Sequence, residues 1–245
     1  MNFSDYLCPG CALFLDFDGT LVDIAPRPEA VVVPEGLLDT LRGLEDYLGG
    51  AVAVVSGRPI AQIDGFLHPL RLPAAGVHGA ERRRAGGSLR FLHTPALDPG
   101  EAGAQQLARE HEGLLVERKR GSLALHYRQA PALEARCLAV MEDAVQASEG
   151  LALLRGKMVV EAKPSGVSKG HAIEAFLQEP PFAGRTPVFI GDDVTDEAGF
   201  ATVQRLGGLG VKVGEGASVA SHRMANPVVM REELERALGR LQETR

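Results

Sequence analysis

Leu13-Phe14-Leu15-Asp16-Phe17-Asp18-Gly19-Thr20-Leu21 is an apolar run that breaks off in two carboxylates and a glycine. Its opening residues have the composition of a buried strand, yet aspartate is depleted in strands and is almost never buried without a partner. Two aspartates two residues apart at the C-terminal end of a strand therefore need a counter-charge. In open α/β sheets that end is where ligands bind. Far downstream, Pro187-Val188-Phe189-Ile190-Gly191-Asp192-Asp193-Val194-Thr195-Asp196-Glu197 repeats the order: apolar strand, glycine, then clustered carboxylates opening a helix. If the two ends meet in space, they make a metal site.

Working outward, apolar runs at 12–17, 51–55 and 187–190 alternate with helical patterns at 36–48 and 60–67. This is the βαβ rhythm of a parallel sheet, and it predicts a doubly wound, Rossmann-like α/β core. Between 98 and 163 the rhythm changes. A polar helix is followed by a hairpin (114–120, Gly121, 122–128), a helix over 131–148, and a strand pair at 151–154 and 158–163 joined by Arg155-Gly156-Lys157. The expected organisation is a core of residues 1–97 and 164–245 with an inserted α+β domain, 98–163, of αββαββ type. Pro95 and an Asp98-Pro99-Gly100 turn bound the insert upstream, and Pro164-Ser165-Gly166 bounds it downstream. In its strands, Leu115, Glu117 and Lys119 share one face, as do Val159, Glu161 and Lys163. Two helices cover one side of such a sheet, so the polar side faces water or the strand ends of the core.

The 245 residues are 45% hydrophobic, enough for a sizeable core, and carry a formal charge of −6. That balance argues against binding nucleic acid or anionic lipid, and Glu117-Arg118-Lys119-Arg120 is too short a basic run to reverse it. No apolar segment approaches the roughly 20 residues that span a bilayer, and no basic region precedes the first apolar run. The expectation is a cytoplasmic monomer acting on a small molecule. The cysteines, Cys8, Cys11 and Cys137, are odd in number and fit reduced thiols. Cys8-Pro9-Gly10-Cys11 has redox or zinc half-site spacing, but no second pair completes a zinc site, and plain thiols at the start of a strand are the better account.

Asp16, Asp18, Asp192, Asp193 and Asp196 gathered at neighbouring strand ends would repel, by about 4 kcal/mol for two unit charges ~4 Å apart at a dielectric of ~20. A divalent cation removes that cost. All-oxygen donors select a hard ion, and few carboxylates completed by water and phosphate favour Mg²⁺ over Ca²⁺; the EF-hand spacing is not matched. A third strand end, Val52-Ala53-Val54-Val55-Ser56-Gly57-Arg58-Pro59, delivers a hydroxyl and then a helix start. Ser56 is either a turn or capping residue, or, beside a metal and the helix's free N–H groups, part of a phosphate site. Lys169, in Ser165-Gly166-Val167-Ser168-Lys169-Gly170-His171-Ala172-Ile173, sits in the first turn of a helix, where a cation opposes the dipole unless an anion is bound beside it.

In this order the Asp16-Phe17-Asp18-Gly19-Thr20, Ser56, Lys169 and Gly191-Asp192-Asp193 elements resemble the haloacid dehalogenase-like phosphatases. More narrowly, Ser56-Gly57-Arg58-Pro59, Gly76-Val77-His78-Gly79-Ala80-Glu81, Leu125-His126-Tyr127-Arg128, Val160-Glu161-Ala162-Lys163-Pro164, Ser168-Lys169-Gly170 and the 191–197 stretch are similar to the trehalose-6-phosphate phosphatases. The resemblance implies that Asp16 is a nucleophile forming an aspartyl-phosphate and Asp18 the general acid and base. It also implies that Asp16, the Asp18 carbonyl and Asp192 hold Mg²⁺, with Asp196 acting through water or behind the direct ligands. Ser56 and Lys169 would hold phosphoryl oxygens, with Gly19, Gly57 and Arg58 at the substrate. The insert would be a mobile cap whose Glu117, Lys119 and Glu161 hydrogen-bond the distal glucose, while His78, Arg128 and Asp193 could be structural supports. The implied reaction is hydrolysis of trehalose 6-phosphate. The alternatives are a phosphatase of another sugar phosphate, such as sucrose phosphate or a mannosyl phosphoglycerate, and a non-catalytic module that binds trehalose 6-phosphate.

Overall fold

A computed structural model describes residues 3, 6–91, 97–119 and 121–243; Pro95 and Arg120 lie outside the described residues. The chain divides into two compact units, Met1–Arg90 with Ser168–Arg245, and Phe91–Val167.

In chain order the elements are β1 (Cys11–Leu15), α1 (Leu37–Tyr47), β2 (Val52–Val55), α2 (Ile60–Leu67), β3 (Ala74–Gly76), β4 (Glu81–Arg83) and β5 (Leu89–Phe91). Next come α3 (Asp98–Glu110), β6 (Leu115–Lys119), β7 (Ser122–His126), α4 (Glu134–Gln146), β8 (Leu151–Gly156) and β9 (Val159–Pro164). The chain finishes with α5 (Lys169–Leu177), β10 (Thr186–Gly191), α6 (Glu197–Arg205), β11 (Leu209–Val213), β12 (His222–Met224) and α7 (Pro227–Glu243).

β1 and β2 are buried at every position, as strands covered on both faces must be, which is why they read as unbroken apolar runs. The eight-stranded sheet runs β12-β11-β10-β1-β2-β3-β4-β5. The first six of these pair in parallel, and β3 with β4 antiparallel. Leu15 pairs with Ile190 of β10 and with Val54 of β2, so three carboxyl ends open on one edge. α1 packs with α7, and α5 with α6. Phe14 stacks on Phe182 with ring centroids 5.4 Å apart, and Phe176 lies 5.1 Å from Phe182. The expected doubly wound parallel core is present. The sequence reading named only β1, β2 and β10 of its strands: β3 is Ala-Ala-Gly, and glycine and lysine interrupt the β11 run Leu209-Gly210-Val211-Lys212-Val213.

The second unit is an antiparallel sheet of order β6-β7-β9-β8. Leu123, Leu125, Val160 and Ala162 form one core cluster with Ala104 and Leu107 of α3 and Cys137 and Met141 of α4. The αββαββ order is as expected, with two local corrections. Asp98-Pro99-Gly100 is not a turn but the start of α3, because proline's missing N–H costs nothing in a helix's first turn. β8 continues through Gly156, which pairs with Val159, so Lys157-Met158 makes the connection, with Met158 at φ +64°. Among the described residues, no helix is long and apolar enough to cross a membrane.

Candidate active site

Adjacent parallel strands bring the two acidic stretches together: the Asp16 N–H donates to the Ile190 carbonyl across β1 and β10 at 2.9 Å. Beyond those strand ends, Asp16, Asp192 and Asp196 place one carboxylate oxygen each within 4.8 Å of one another. Lys169, in the first turn of α5 and 2% exposed, donates to Asp16 Oδ1 and to Asp196 Oδ1, both at 2.6 Å. Asp196 Oδ2 accepts the backbone N–H groups of Asp192 and Asp193, each at 2.9 Å. Asp193 caps the short 3-10 turn before α6, its carboxylate accepting the Val194 N–H, which fits a structural support.

Three carboxylates against one ammonium leave an excess of negative charge in a buried place. Burial, then Asp196, pushes Asp16 well above the usual carboxylate range despite Lys169. Burial and Asp196 likewise raise Asp192 to about 7. Burial lowers the proton affinity of Lys169, but Asp16 and Asp196 outweigh it and hold the ammonium charged. A cluster of oxygen donors under mutual repulsion is what a hard divalent cation relieves, so the residues present fit such an ion. Gly19, at φ +77°, is required here: a Cβ on it would lie 2.2 Å from Asp192 Oδ2.

At the third strand end, Ser56 is buried and its Oγ accepts the Arg58 N–H at 3.1 Å, closing a local turn. The Ile60 N–H, one of the helix groups expected to serve an anion, is instead given to Glu81 Oε2 at 2.9 Å. Val77 and His78 have φ of +49° and +56°, strained for side-chain-bearing residues. Their N–H groups donate to the carbonyls of Arg58 (3.0 Å) and Ser56 (2.9 Å), which ties this loop to Ser56-Gly57-Arg58. Gly57 is needed for close approach, since a Cβ there would meet His78 Cε1 at 2.7 Å. The Arg58 guanidinium grips both oxygens of Asp18 at 2.7 Å, bonds Gln62 at 3.2 Å, and lies over the Phe66 ring at 5.0 Å. The Asp18 side chain is therefore engaged outside the three-carboxylate cluster.

In the second unit, Glu117, Ala124 and Glu161 face one another across β6, β7 and β9. The Lys119 ammonium lies 3.7 Å from Glu117 and 3.9 Å from Glu161. Sequence reasoning missed the two supports of this group. Ser122 Oγ bonds Glu161, and His126 Nε2 bonds Glu117 Oε2 at 2.9 Å. Burial raises Glu117, but His126 and Lys119 outweigh it and bring it below the ordinary value. Both supports alternate along β7, a signal the hairpin pattern already held. Among the described residues Arg128 bonds the Lys157 carbonyl, at 3.3 Å, consistent with support. Lys163 bonds the Val167 carbonyl. Cys11 opens β1 with its thiol pushed up to about 12, chiefly by burial, and all three cysteines are free thiols.

The parallel sheet with acidic strand ends matches known folds. A haloacid dehalogenase-like hydrolase from B. subtilis superposes with a TM-score of 0.67 at 14% identity, covering 91% of this chain and 99% of that one. The C-terminal domain of C. albicans trehalose-6-phosphate phosphatase gives 0.87 at 21% identity, covering 96% and 95%. The fold is that of the haloacid dehalogenase-like hydrolases. In sequence, the chain is 48% identical over 216 residues to trehalose-6-phosphate phosphatase of Escherichia coli (strain K12), covering 87% of this chain and 81% of that protein. Residues 14–230 match the trehalose-phosphatase family model, and the chain belongs to that family.

Proposed function

We propose that the chain hydrolyses trehalose 6-phosphate to trehalose and inorganic phosphate. The observation that carries this is the meeting of Asp16, Asp192 and Asp196 around Lys169 at parallel strand ends, in a chain of the trehalose-phosphatase family. In this reading an Asp16 carboxylate oxygen attacks phosphorus, forming an acyl-phosphate as the bond from phosphorus to the sugar oxygen breaks. Asp18 gives that oxygen a proton, then takes one from the water that attacks phosphorus and frees Asp16. Proton donation requires the two-point grip of Arg58 on Asp18 to open. Lys169 and Ser56 bind phosphoryl oxygens, with Gly19, Gly57 and Arg58 at the substrate. Asp16, Asp192 and the Asp18 backbone carbonyl would hold Mg²⁺, with Asp196 orienting the donors. When bound, the ion supplies neutralisation of the charge on the phosphoryl group. Glu117, Lys119 and Glu161 supply hydrogen bonds suited to the hydroxyls of the sugar that carries no phosphate, and we assign the second unit, taken as 98–163 from the sequence, the part of a specificity cap.

Phosphate release from a panel of sugar phosphates, with Mg²⁺ and with EDTA, tests metal, reaction and substrate together. The expected result is the highest kcat/KM on trehalose 6-phosphate and no turnover in EDTA. A flat profile, or a preference for sucrose phosphate or a mannosyl phosphoglycerate, removes the substrate assignment. No release from any substrate leaves a binding module.

A further inference from the structure

Of the three carboxylates in the cluster, Asp16 and Asp196 share Lys169, but among the described residues no donor or cation touches the carboxylate of Asp192. Its direction is therefore set through its backbone. On one side the Asp192 N–H is held by Asp196 Oδ2 at 2.9 Å. On the other, the Asp192 carbonyl accepts a hydrogen bond from the ammonium of Lys212.

We propose that Lys212 is a positioning residue for Asp192 as a ligand of the divalent cation, a proposal that rests on the metal reading above. Lys212 lies on β11 opposite Gly191, the last residue of β10, so its backbone is fixed next to the turn that carries Asp192. The side chain is buried, and its other acceptor is the Val213 carbonyl at 3.2 Å. Among the described residues it forms no ion pair. A buried ammonium whose acceptors are all neutral is poorly compensated for its lost hydration, so its burial has no evident basis in stability. What it does is hold the peptide of a carboxylate that has no side-chain hydrogen bond of its own among the described residues. The tolerance is small, because Asp192 Oδ2 packs directly on the backbone of Gly19. Groups that orient metal ligands commonly influence metal affinity by about 10-fold to 100-fold when removed.

Mg²⁺ titration by calorimetry into wild type, Lys212→Met, Lys212→Gln and Asp192→Asn tests this, with melting temperatures of each in EDTA. Lys212→Met is expected to bind Mg²⁺ about 10-fold more weakly. Lys212→Gln keeps a donor, one bond short of the ammonium position, and is expected to bind Mg²⁺ more tightly than the methionine variant. Should the methionine variant not fold, Lys212→Arg carries the same expectation of weaker binding, because its donors cannot occupy the position of the ammonium nitrogen. Met or Arg variants that bind Mg²⁺ as tightly as wild type overturn the proposal, whatever happens to their melting temperatures, and so does a glutamine variant as weak as the methionine one. A wild type that takes up no Mg²⁺, or an Asp192→Asn variant that takes it up unimpaired, removes the underlying metal reading. Loss in Asp192→Asn with none in Lys212→Met removes the role of Lys212 alone.

Discussion

Replacing Asp192 by asparagine should stabilise the metal-free protein at pH 8. The Asp192 carboxyl is raised from its ordinary 3.8 to about 7 by burial and by Asp196. At about 1.36 kcal/mol for each tenfold change in proton affinity, keeping it ionised in the folded state costs about 4 kcal/mol above pH 7. Asparagine removes the charge but leaves a buried amide to satisfy, so about 2 kcal/mol of that gain should survive. The sign of the pH dependence follows from proton uptake. Between about pH 4 and 7 the folded wild type holds a proton that the unfolded chain has released, so its stability falls as pH rises through that window. The asparagine variant lacks this loss. Unfolding in EDTA at pH 4.5 and pH 8 is the assay. At pH 8 the variant should melt higher by about 4–8 °C, taking 2–4 °C per kcal/mol for a chain of this size, and at pH 4.5 that advantage should vanish or reverse. Adding Mg²⁺ should raise wild type and not the variant. A variant less stable than wild type at pH 8 in EDTA, or a gap independent of pH, would refute the argument that charge crowding dominates this site.

Asp16→Asn should abolish phosphate release while leaving the far-UV spectrum and cooperative unfolding intact; release near the wild-type rate contradicts the mechanism. Gly19→Ala should cost about 1–2 kcal/mol from its left-handed backbone and weaken Mg²⁺ binding, because the methyl displaces Asp192; unchanged Mg²⁺ affinity speaks against the close packing. Burial raises Glu179, but Arg82 at 2.7 Å and Arg84 at 2.7 Å outweigh it and hold it below 4.5. Stability from this trio should be present above about pH 4.5 and fade on acidification, and Glu179→Gln should flatten that limb of an acid titration followed by fluorescence or circular dichroism; an unaltered acid limb contradicts it.

The acidic strand ends were legible because Asp16 and Asp192 break apolar runs that nothing but a packed strand explains, and strand adjacency then did the rest. Lys169 was legible as a misplaced cation, but its contact with Asp196 depends on the 3-10 turn after β10, which no local pattern announces. Lys212 was not legible. Val211-Lys212-Val213 reads as an alternating surface strand, and only its pairing with Gly191 puts the ammonium under the Asp192 turn. Glu81, 21 residues from the helix start it caps, was hidden for the same reason. Asp98-Pro99-Gly100 misled because proline and glycine mark a turn or a helix start equally well until the residues that follow are packed.

Lys169 fastens partners lying 153 residues before it and 27 after it in the chain. Ribosomal synthesis therefore delivers β1 early and one of its two flanking strands, β10, only after the whole 91–167 unit has emerged. Until then a strand buried at every position of the fold carries an open edge, the condition under which nascent chains stick to one another. The same insertion of a second unit between β5 and α5 thus lengthens the time for which the growing polypeptide carries that unpaired edge.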